Sequence, residues 1–462
     1  MGKRNLLRAA VVLGALVLAP ASLAATFSPG SDGLGDPMYP LAGNGGYDVS
    51  NYSLTLDYTP SGNRLVGTAV ITARATQNLS RFDLDFRMQS SVKRLLVDGV
   101  PATFAAAKEQ ELVVTPASGI AQGKTFTVRV EYDGTPLVVT DPDQSIEGWV
   151  PTDDGAFVVN EPQGSPGWYP ANDNPRDKAT YDFRITVPAG LTVMANGVLV
   201  SQTTSAGKTT WVWRESDPMA PYLTTTTLGK FDLTVSRVQG VPSYVAVDPQ
   251  LAKGQVLSKL PEAVDFYTSI YGPYPFNAVG AIVDSAKVVG YSLETQTKPN
   301  FPYVPDEATL VHELAHMWFG DSLTLKTWPD IWLHEGFATW SEWIWSERQG
   351  NKSAQQWFDR WYSTSAKETG FWGPAVADFT DPALLFNGTV YLRGGMTLQA
   401  LRVKIGDLAF FQLLRDWATQ NRYGTVTTPQ FIALAERESG MDLTQFFKVW
   451  IYQADKPAPG SW

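Results

Sequence analysis

Hydrophobic patterning divides the chain into two regions with different periods. From residue 47 to about residue 238, apolar and polar residues alternate in short runs. A period of two predicts strands with one buried face. Such runs occur at 52–58, 65–73, 126–132, 181–187 and 210–213. Turn residues 60–63 lie between the first two runs, which predicts a hairpin. We therefore expect an antiparallel β-sandwich over residues 47–238.

After residue 241 the period lengthens to that of a helix. Pro305, followed by Asp306 and Glu307, is a typical start of a helix. The pattern predicts a strand region at 276–289 and helices over residues 257–271, 305–320, 328–348, 393–404, 408–421, 428–438 and 442–452. The predicted fold class is multidomain α+β, in which a mostly α-helical domain over 239–462 follows the sandwich.

The first 24 residues predict a signal peptide. Three basic residues precede the apolar stretch 9–19, which is short for a membrane span, and a small-residue cleavage pattern ends at Ala24. Residues 25–46 are rich in Gly, Pro, Ser and Asp, which predicts a flexible linker. We expect a secreted or periplasmic protein that has no stable membrane association after cleavage.

Composition excludes several classes of protein. The 462 residues carry a formal net charge of −10, which becomes −13 without the three cations of the first 24 residues. An acidic chain of this kind is not expected to bind nucleic acid. The chain has no cysteine, so disulfides are excluded and a metal must be held by nitrogen and oxygen. Nothing in the sequence predicts the oligomeric state.

The three histidines of the chain point to a metal site. His312 and His316 are four residues apart, which places both imidazoles on one face of a helix. Eighteen residues separate His316 from Glu335, which would supply a third, oxygen ligand. Three protein ligands leave one position open for water, as catalytic zinc requires. We therefore predict one Zn²⁺ per chain.

Two neighbours of these ligands receive different predictions. Glu313 follows His312 by one residue, so it points about 100° around the helix, beside the metal. There it can take a proton from the attacking water, as a general base. His334 precedes Glu335 by one residue, so we expect it to point away from the metal and not to be a ligand.

Further segments resemble the aminopeptidase N type of zinc aminopeptidases, which are gluzincins with a thermolysin-like catalytic domain. Residues 290–296, Gly-Tyr-Ser-Leu-Glu-Thr-Gln, resemble the family's exopeptidase motif, and residues 390–394 resemble its Tyr-x-Lys/Arg-Gly segment. The resemblance implies that Glu294 and Glu161 bind the substrate's α-ammonium and that Tyr391 stabilises the oxyanion. It also implies that the substrate contacts Tyr291, Ser292 and Leu293.

Two departures from the family pattern change the expected cleft. Tyr291 and Thr295 stand where the family usually has glycine and asparagine, so we expect a different pocket width and peptide alignment. Only 71 residues follow Tyr391. We therefore expect a short two-domain member that lacks the C-terminal helical domain and has a more open cleft.

The leading hypothesis is a secreted zinc aminopeptidase that cleaves peptides with a free N-terminus. One alternative is a broad-specificity metallo-endopeptidase, which the open cleft would permit. A second alternative is a non-catalytic, peptide-binding surface protein whose sandwich is the functional part.

Overall fold

The computed structural model describes residues 1–2, 26–251, 255–365, 370–377 and 379–459. Residues 3–24 of the predicted signal peptide lie outside the described residues. Within the described part of the chain, every helix is too short or too polar to cross a bilayer.

The N-terminal region is β-rich, as its alternating pattern predicts. Its strands are β1 (Ser28–Pro29), β2 (Tyr47–Thr59), β3 (Arg64–Ala75), β4 (Leu79–Asp85), β5 (Val92–Val97), β6 (Val100–Pro101), β7 (Thr103–Ala107), β8 (Glu111–Thr115), β9 (Thr125–Gly134), β10 (Val138–Thr140), β11 (Ile146–Pro151), β12 (Ala156–Val159), β13 (Ala179–Pro188), β14 (Thr192–Ala195), β15 (Val198–Ser205), β16 (Lys208–Met219) and β17 (Thr226–Gly229). They form an eight-stranded sheet (β15-β16-β13-β2-β3-β9-β5-β6), a five-stranded sheet (β10-β11-β12-β17-β14) and a four-stranded sheet (β1-β4-β8-β7).

The predicted hairpin is confirmed. β2 and β3 pair antiparallel, with Tyr52 opposite Ile71 and Tyr58 opposite Leu65. The apolar face of β2, from Tyr52 to Tyr58, is at most 1% exposed. Each such side chain contributes about 1.5–3 kcal/mol on burial, so the alternation itself selects which face of the sheet lies inward.

Residues 26–46 pack against the rest of the protein, which does not fit the flexible linker that their composition predicts. Met38, Tyr39 and Asn44 are buried. The Asp36 carboxylate accepts hydrogen bonds from the amides of Met38 and, across to the second region, Trp328. The aromatic ring of Tyr39 also contacts Trp328 edge-on. This polar segment therefore connects the N-terminal region to the helical region through direct contacts with Trp328.

The second region is mostly helical and contains one mixed sheet. Its helices are α1 (Leu260–Tyr271), α2 (Glu307–Ala315), α3 (Trp332–Arg348), α4 (Ala354–Thr364), α5 (Gly388–Ile405), α6 (Asp407–Gln420), α7 (Thr428–Ser439) and α8 (Thr444–Phe447), which continues as a π-helical turn to Tyr452. Its strands are β18 (Asp232–Val238), β19 (Val241–Val247), β20 (Val279–Val283), β21 (Asn300–Phe301), β22 (Thr324–Leu325) and β23 (Thr425–Val426).

Three helices differ from the prediction. Helix α5 begins at Gly388, five residues before its predicted start at residue 393. The helix predicted over 305–320 ends at Ala315, because the chain turns after His316 and reaches Gly320 with φ of 145°. Helix α4 was not predicted. It begins with a capping box in which the Ser353 side chain and the Gln356 side chain each bond the other's backbone amide.

Strand pairing bears on where the domains meet. β18 pairs antiparallel with β19, which pairs in parallel with β20 of the second region. The predicted boundary between residues 238 and 239 therefore falls inside a hairpin whose partners lie in the C-terminal sheet. The domain limits stay a prediction, and this pairing favours a boundary near residue 230.

Direct hydrogen bonds hold the two regions together around the loop that follows α2. Nζ of Lys178 donates to the carbonyl oxygens of Asp321 at 3.0 Å and Ser322 at 2.8 Å. The Tyr222 hydroxyl donates to the Gly320 carbonyl at 2.8 Å. Because these N-terminal side chains fix the segment that ends the histidine helix, the sandwich forms one wall of the cleft beside it.

Candidate active site

The three predicted metal ligands converge. Nε2 of His312 lies 3.1 Å from Oε2 of Glu335, and Nε2 of His316 lies 3.4 Å from the same oxygen. Ligands of a tetrahedral zinc ion at 2.0–2.1 Å are about 3.3 Å apart, so these spacings fit zinc. The three residues are at most 9% exposed. Helix α2 supplies both histidines and α3 supplies the glutamate, as the spacing in the sequence predicts.

The second nitrogen of each histidine is held by another group. Nδ1 of His312 lies 2.7 Å from Oε1 of Glu342, which follows Glu335 on α3 by about two helical turns. Nδ1 of His316 donates to the carbonyl oxygen of Phe319 at 3.0 Å. These partners orient each ring so that Nε2 faces the metal position. The sequence analysis did not identify Glu342 as a site residue, although it lies seven residues after Glu335 on the same helix.

Glu313 and Tyr391 lie beside the metal position. Both line the same cleft as the ligands, and the ring centroids of Tyr391 and His312 are 6.0 Å apart. Burial raises the pKa of Glu313 to about 8, against the opposing effect of the two histidines. Burial and nearby carboxylates, Glu335 first, raise the pKa of Tyr391 well above its ordinary value, so the phenol stays protonated and can donate a hydrogen bond.

A glycine pair sets the distance between Tyr391 and the metal ligands. A Cβ atom on Gly394 would lie 2.7 Å from Cα of Gly336, and one on Gly336 would lie 2.8 Å from Cα of Gly394. Helices α3 and α5 therefore touch backbone to backbone at this crossing. Gly336 directly follows Glu335, and Gly394 is three residues after Tyr391, so the contact places both functional side chains.

Glu161 and Glu294 come together although they are 133 positions apart. Glu161 follows strand β12 of the sandwich, and Glu294 follows Leu293, whose backbone pairs with Asn300. Both carboxylates line the cleft and are at most 4% exposed. Burial, and then the Glu294 carboxylate, raises the pKa of Glu161 well above its ordinary value. Such a pair favours a positively charged ligand.

Tyr291, Ser292 and Leu293 differ in how they lie relative to the cleft. Tyr291 and Ser292 line the cleft, and the Tyr291 hydroxyl donates to the Ile146 carbonyl at 3.1 Å. Leu293 does not line the cleft. Its side chain is 1% exposed and belongs to a small apolar cluster with Phe157 and Val159, so its contact with substrate stays a prediction. Alternation along an extended segment turns Leu293 into the apolar cluster, while its neighbours Ser292 and Glu294 face the cleft.

The cleft has a volume of about 330 Å³ and includes residues that sequence reasoning missed. Asp143 and Ser145 enter from the sandwich, and Tyr303, Thr309 and Phe386 from the helical region. No local pattern marks these residues, because only the packing of the two regions brings them to one surface.

His334 is not a ligand of the predicted metal site, as its position on α3 implies. It is fully buried and does not line the cleft. Both of its ring nitrogens are buried without a hydrogen-bond partner among the residues that the structure describes.

Comparison with known proteins identifies both regions. The peptidase family M1 domain matches residues 297–450, and the peptidase M1 N-terminal domain matches residues 49–223. Aminopeptidase N of Streptomyces lividans is 27% identical over 345 residues, covering 66% of this chain and 39% of that protein. The chain thus spans about two fifths of the length of this curated relative.

Solved structures match over a larger share. An M1 zinc metallopeptidase from Deinococcus radiodurans is 28% identical with a TM-score of 0.85, over 92% of this chain and 99% of the other. A variant of that enzyme bound to a Tyr-Ser-Ala substrate matches with 28% identity and a TM-score of 0.84, over the same shares of the two chains. The β-rich first domain followed by a helical domain is thus confirmed.

Proposed function

The chain belongs to peptidase family M1, and from that premise and the geometry of the cleft we propose that it is a zinc-dependent aminopeptidase. It would hydrolyse the first peptide bond of substrates that have a free N-terminus. His312, His316 and Glu335 would hold the zinc ion.

The observation that carries this proposal is the presence of Glu161 and Glu294 in the same cleft as the metal ligands. Two buried carboxylates bind an α-ammonium through charge-assisted hydrogen bonds, and a mid-chain amide offers no such charge. The fixed distance between these carboxylates and the metal ligands then selects the first peptide bond. An endopeptidase cleaves within a peptide chain, where there is no α-ammonium for this pair of carboxylates to bind.

Zinc at this site supplies Lewis acidity that activates water and polarises the substrate carbonyl. Glu313 takes the proton from the attacking water and passes it to the leaving amine. Tyr391 donates its hydroxyl hydrogen to the oxyanion, which stabilises the tetrahedral intermediate. The complete set of Glu313, Tyr391 and three ligands argues against a non-catalytic binding protein.

Paired substrates test the exopeptidase assignment. An aminoacyl amide with a free α-amine is compared with the same compound after N-acetylation, with zinc and with a chelator. We expect rapid, chelator-sensitive hydrolysis of the free amine and at least about a hundredfold lower kcat/KM for the acetylated compound. Equal hydrolysis of the two would instead establish the endopeptidase alternative, and zinc-independent hydrolysis would contradict the mechanism.

We further propose that the protein is exported and acts outside the cytoplasm. The support is the sequence alone: basic residues, the apolar stretch 9–19 and the small residues up to Ala24. The complete absence of cysteine is compatible with either compartment. Expression of the full chain, fractionation and N-terminal sequencing provide the test, and we expect an extracytoplasmic form that begins at Ala25.

A further inference from the structure

A second group of potential ligands lies directly behind the amine-binding carboxylates. One ligand atom from each of Glu161, Glu294 and His334 lies within 4.8 Å of the other two. All three residues are buried, and His334 is fully so. This cluster shares no residue with the three predicted zinc ligands.

Each member of the cluster has a buried polar atom that lacks a hydrogen-bond partner among the described residues. The Oε1 atoms of both glutamates and both ring nitrogens of His334 are buried without a partner within the described ranges of the chain. Neither glutamate takes part in an ion pair with a lysine or arginine among the described residues. Buried polar atoms are nearly always satisfied, and those that are not commonly mark a bound ion or water.

The donor set and its size fit a transition-metal cation. Three atoms with mutual distances up to 4.8 Å share a point no more than about 2.8 Å from each, and side-chain rotation shortens this towards the 2.0–2.2 Å of zinc bonds. Two carboxylate oxygens and an imidazole nitrogen are typical zinc ligands, whereas Mg²⁺ and Ca²⁺ prefer oxygen alone.

We propose that Glu161, Glu294 and His334 form a second, inhibitory cation site that binds Zn²⁺ when zinc exceeds one equivalent. Glu161 and Glu294 line the cleft, so the ion enters between their carboxylates, while His334 closes the site from the interior. Two glutamates compensate the charge of the divalent ion.

Occupancy of this site excludes the substrate's α-ammonium. The same two carboxylates cannot bind a divalent ion and an ammonium group together without placing like charges side by side. Glu294 also lies within 4.8 Å of Glu313 and His316, so the second ion is next to the catalytic centre. This competition rests on the proposed aminopeptidase function, whereas binding of the second ion does not.

Zinc stoichiometry tests the site without any reference to activity. The holoenzyme with one zinc ion is dialysed against increasing zinc, and bound metal is measured. We expect a second equivalent in the wild type, and one equivalent in His334→Asn. In crystals soaked with excess zinc, an anomalous map should show a second peak among the three side chains. A holoenzyme that binds no more than one equivalent of zinc, even in excess zinc, would overturn the proposal.

Kinetics on the same proteins test the competition. At free zinc of ten times the second dissociation constant, we expect the apparent KM for a free-amine substrate to rise about elevenfold with kcat unchanged, as for any competitive ligand. His334→Asn should keep the basal activity and lose this inhibition. If the asparagine variant does not fold, His334→Gln, which has a longer polar side chain, replaces it in both the stoichiometry and the kinetic test.

A matched control separates the site from general charge effects. Asp321 is another buried carboxylate with two unpartnered oxygens, and it is outside the cluster. Asp321→Asn should still bind the second ion and still be inhibited. Inhibition that persists in His334→Asn, or disappears equally in Asp321→Asn, would contradict the assignment. A second ion that binds to a protein without peptidase activity would leave the site standing and remove the proposed function.

Discussion

The two walls of the cleft are built in different ways. The metal wall consists of His312, His316 and Glu335, which all lie on or directly at the end of helices α2 and α3. The amine wall consists of Glu161 and Glu294, which lie on loops contributed by different regions of the chain. Both walls are buried and both carry charge, so burial and charge alone do not distinguish them.

The walls differ in what surrounds their functional atoms. On the metal wall, Glu342 and the Phe319 carbonyl bond the second nitrogens of the two histidines. On the amine wall, Oε1 of each glutamate has no partner among described residues. The metal wall is therefore organised before its ligand arrives, whereas the amine wall is completed by the positive group that it binds. Substitutions on the two walls should fail in different ways.

Glu313→Gln should have the largest effect. The amide cannot accept the proton from water, so we expect kcat to fall by about 10³-fold, within the range for loss of a general base. Zinc content and KM should change little, because Glu313 is not a ligand. Steady-state kinetics with metal analysis measure both. A variant that keeps near-normal kcat would remove Glu313 from the mechanism.

Glu294→Gln should break the amine wall and leave the metal wall intact. Loss of a charge-assisted hydrogen bond costs about 1.5–3 kcal/mol, so kcat/KM for a free-amine substrate should fall about 10- to 150-fold, mainly through KM. Glu161→Gln is the parallel variant from the sandwich. N-acetylated substrates are the control, since their residual hydrolysis should not fall. An equal loss for both substrates would mean that the carboxylate does not recognise the amine.

Glu342→Gln should weaken the metal wall without touching the amine wall. The neutral amide holds the His312 ring less firmly and makes it a weaker ligand, so we expect zinc affinity to fall about tenfold or more. Competition with a chromophoric chelator measures this affinity. The ratio between free-amine and acetylated substrates at saturating zinc should stay as in the wild type, and a changed ratio would show that the two walls are coupled.

Gly394→Ala tests the helix crossing that holds the metal wall to Tyr391. The new methyl would lie 2.7 Å from Cα of Gly336, so α3 and α5 must separate. We expect a loss of about 1–3 kcal/mol in unfolding free energy and a fall in kcat as Tyr391 moves. Gly388→Ala is the control on the same helix, because its Cβ meets nothing within 4 Å. Equal behaviour of the two variants would contradict the role of the crossing.

The two walls also differ in how far the sequence could predict them. His312, His316 and Glu335 follow from helical spacing, because one regular element fixes the direction of each side chain. The alternation of β2 and β3 likewise predicted their pairing and their buried faces. Local periodicity is a strong signal wherever one face of an element is buried.

The other features of the site and fold depend on how distant segments of the chain pack together, which local periodicity does not reveal. Resemblance to a family, not spacing, pointed to Glu161 and Glu294. Composition suggested a linker at 26–46, but turn residues such as Asp36 bond the second region instead. The family resemblance implied that Leu293 contacts the substrate, whereas the alternation of an extended segment points its side chain towards an apolar cluster. Cleft residues such as Asp143 and Phe386 carry no local pattern at all.

Glu111 is a buried carboxylate of the sandwich that belongs to neither wall of the cleft. It is 1% exposed, and neither of its carboxylate oxygens has a partner within the described residues. Burial, and then Asp85, raises its pKa to about 9, against an ordinary value of 4.5. Between these values the folded state holds one more proton than the unfolded state, so unfolding free energy falls as pH rises, by about 1.4 kcal/mol per pH unit for this group.

Denaturant titrations from pH 6 to pH 8 should show this decrease of unfolding free energy with pH in wild-type protein and a smaller decrease in Glu111→Gln. The variant should be the more stable of the two at pH 8. The exposed neighbour Glu109, with 78% of its side chain exposed, is the control, and Glu109→Gln should leave the slope unchanged. A slope that survives Glu111→Gln undiminished would show that water or a cation already compensates the Glu111 carboxylate, as we infer for the cluster behind the amine wall.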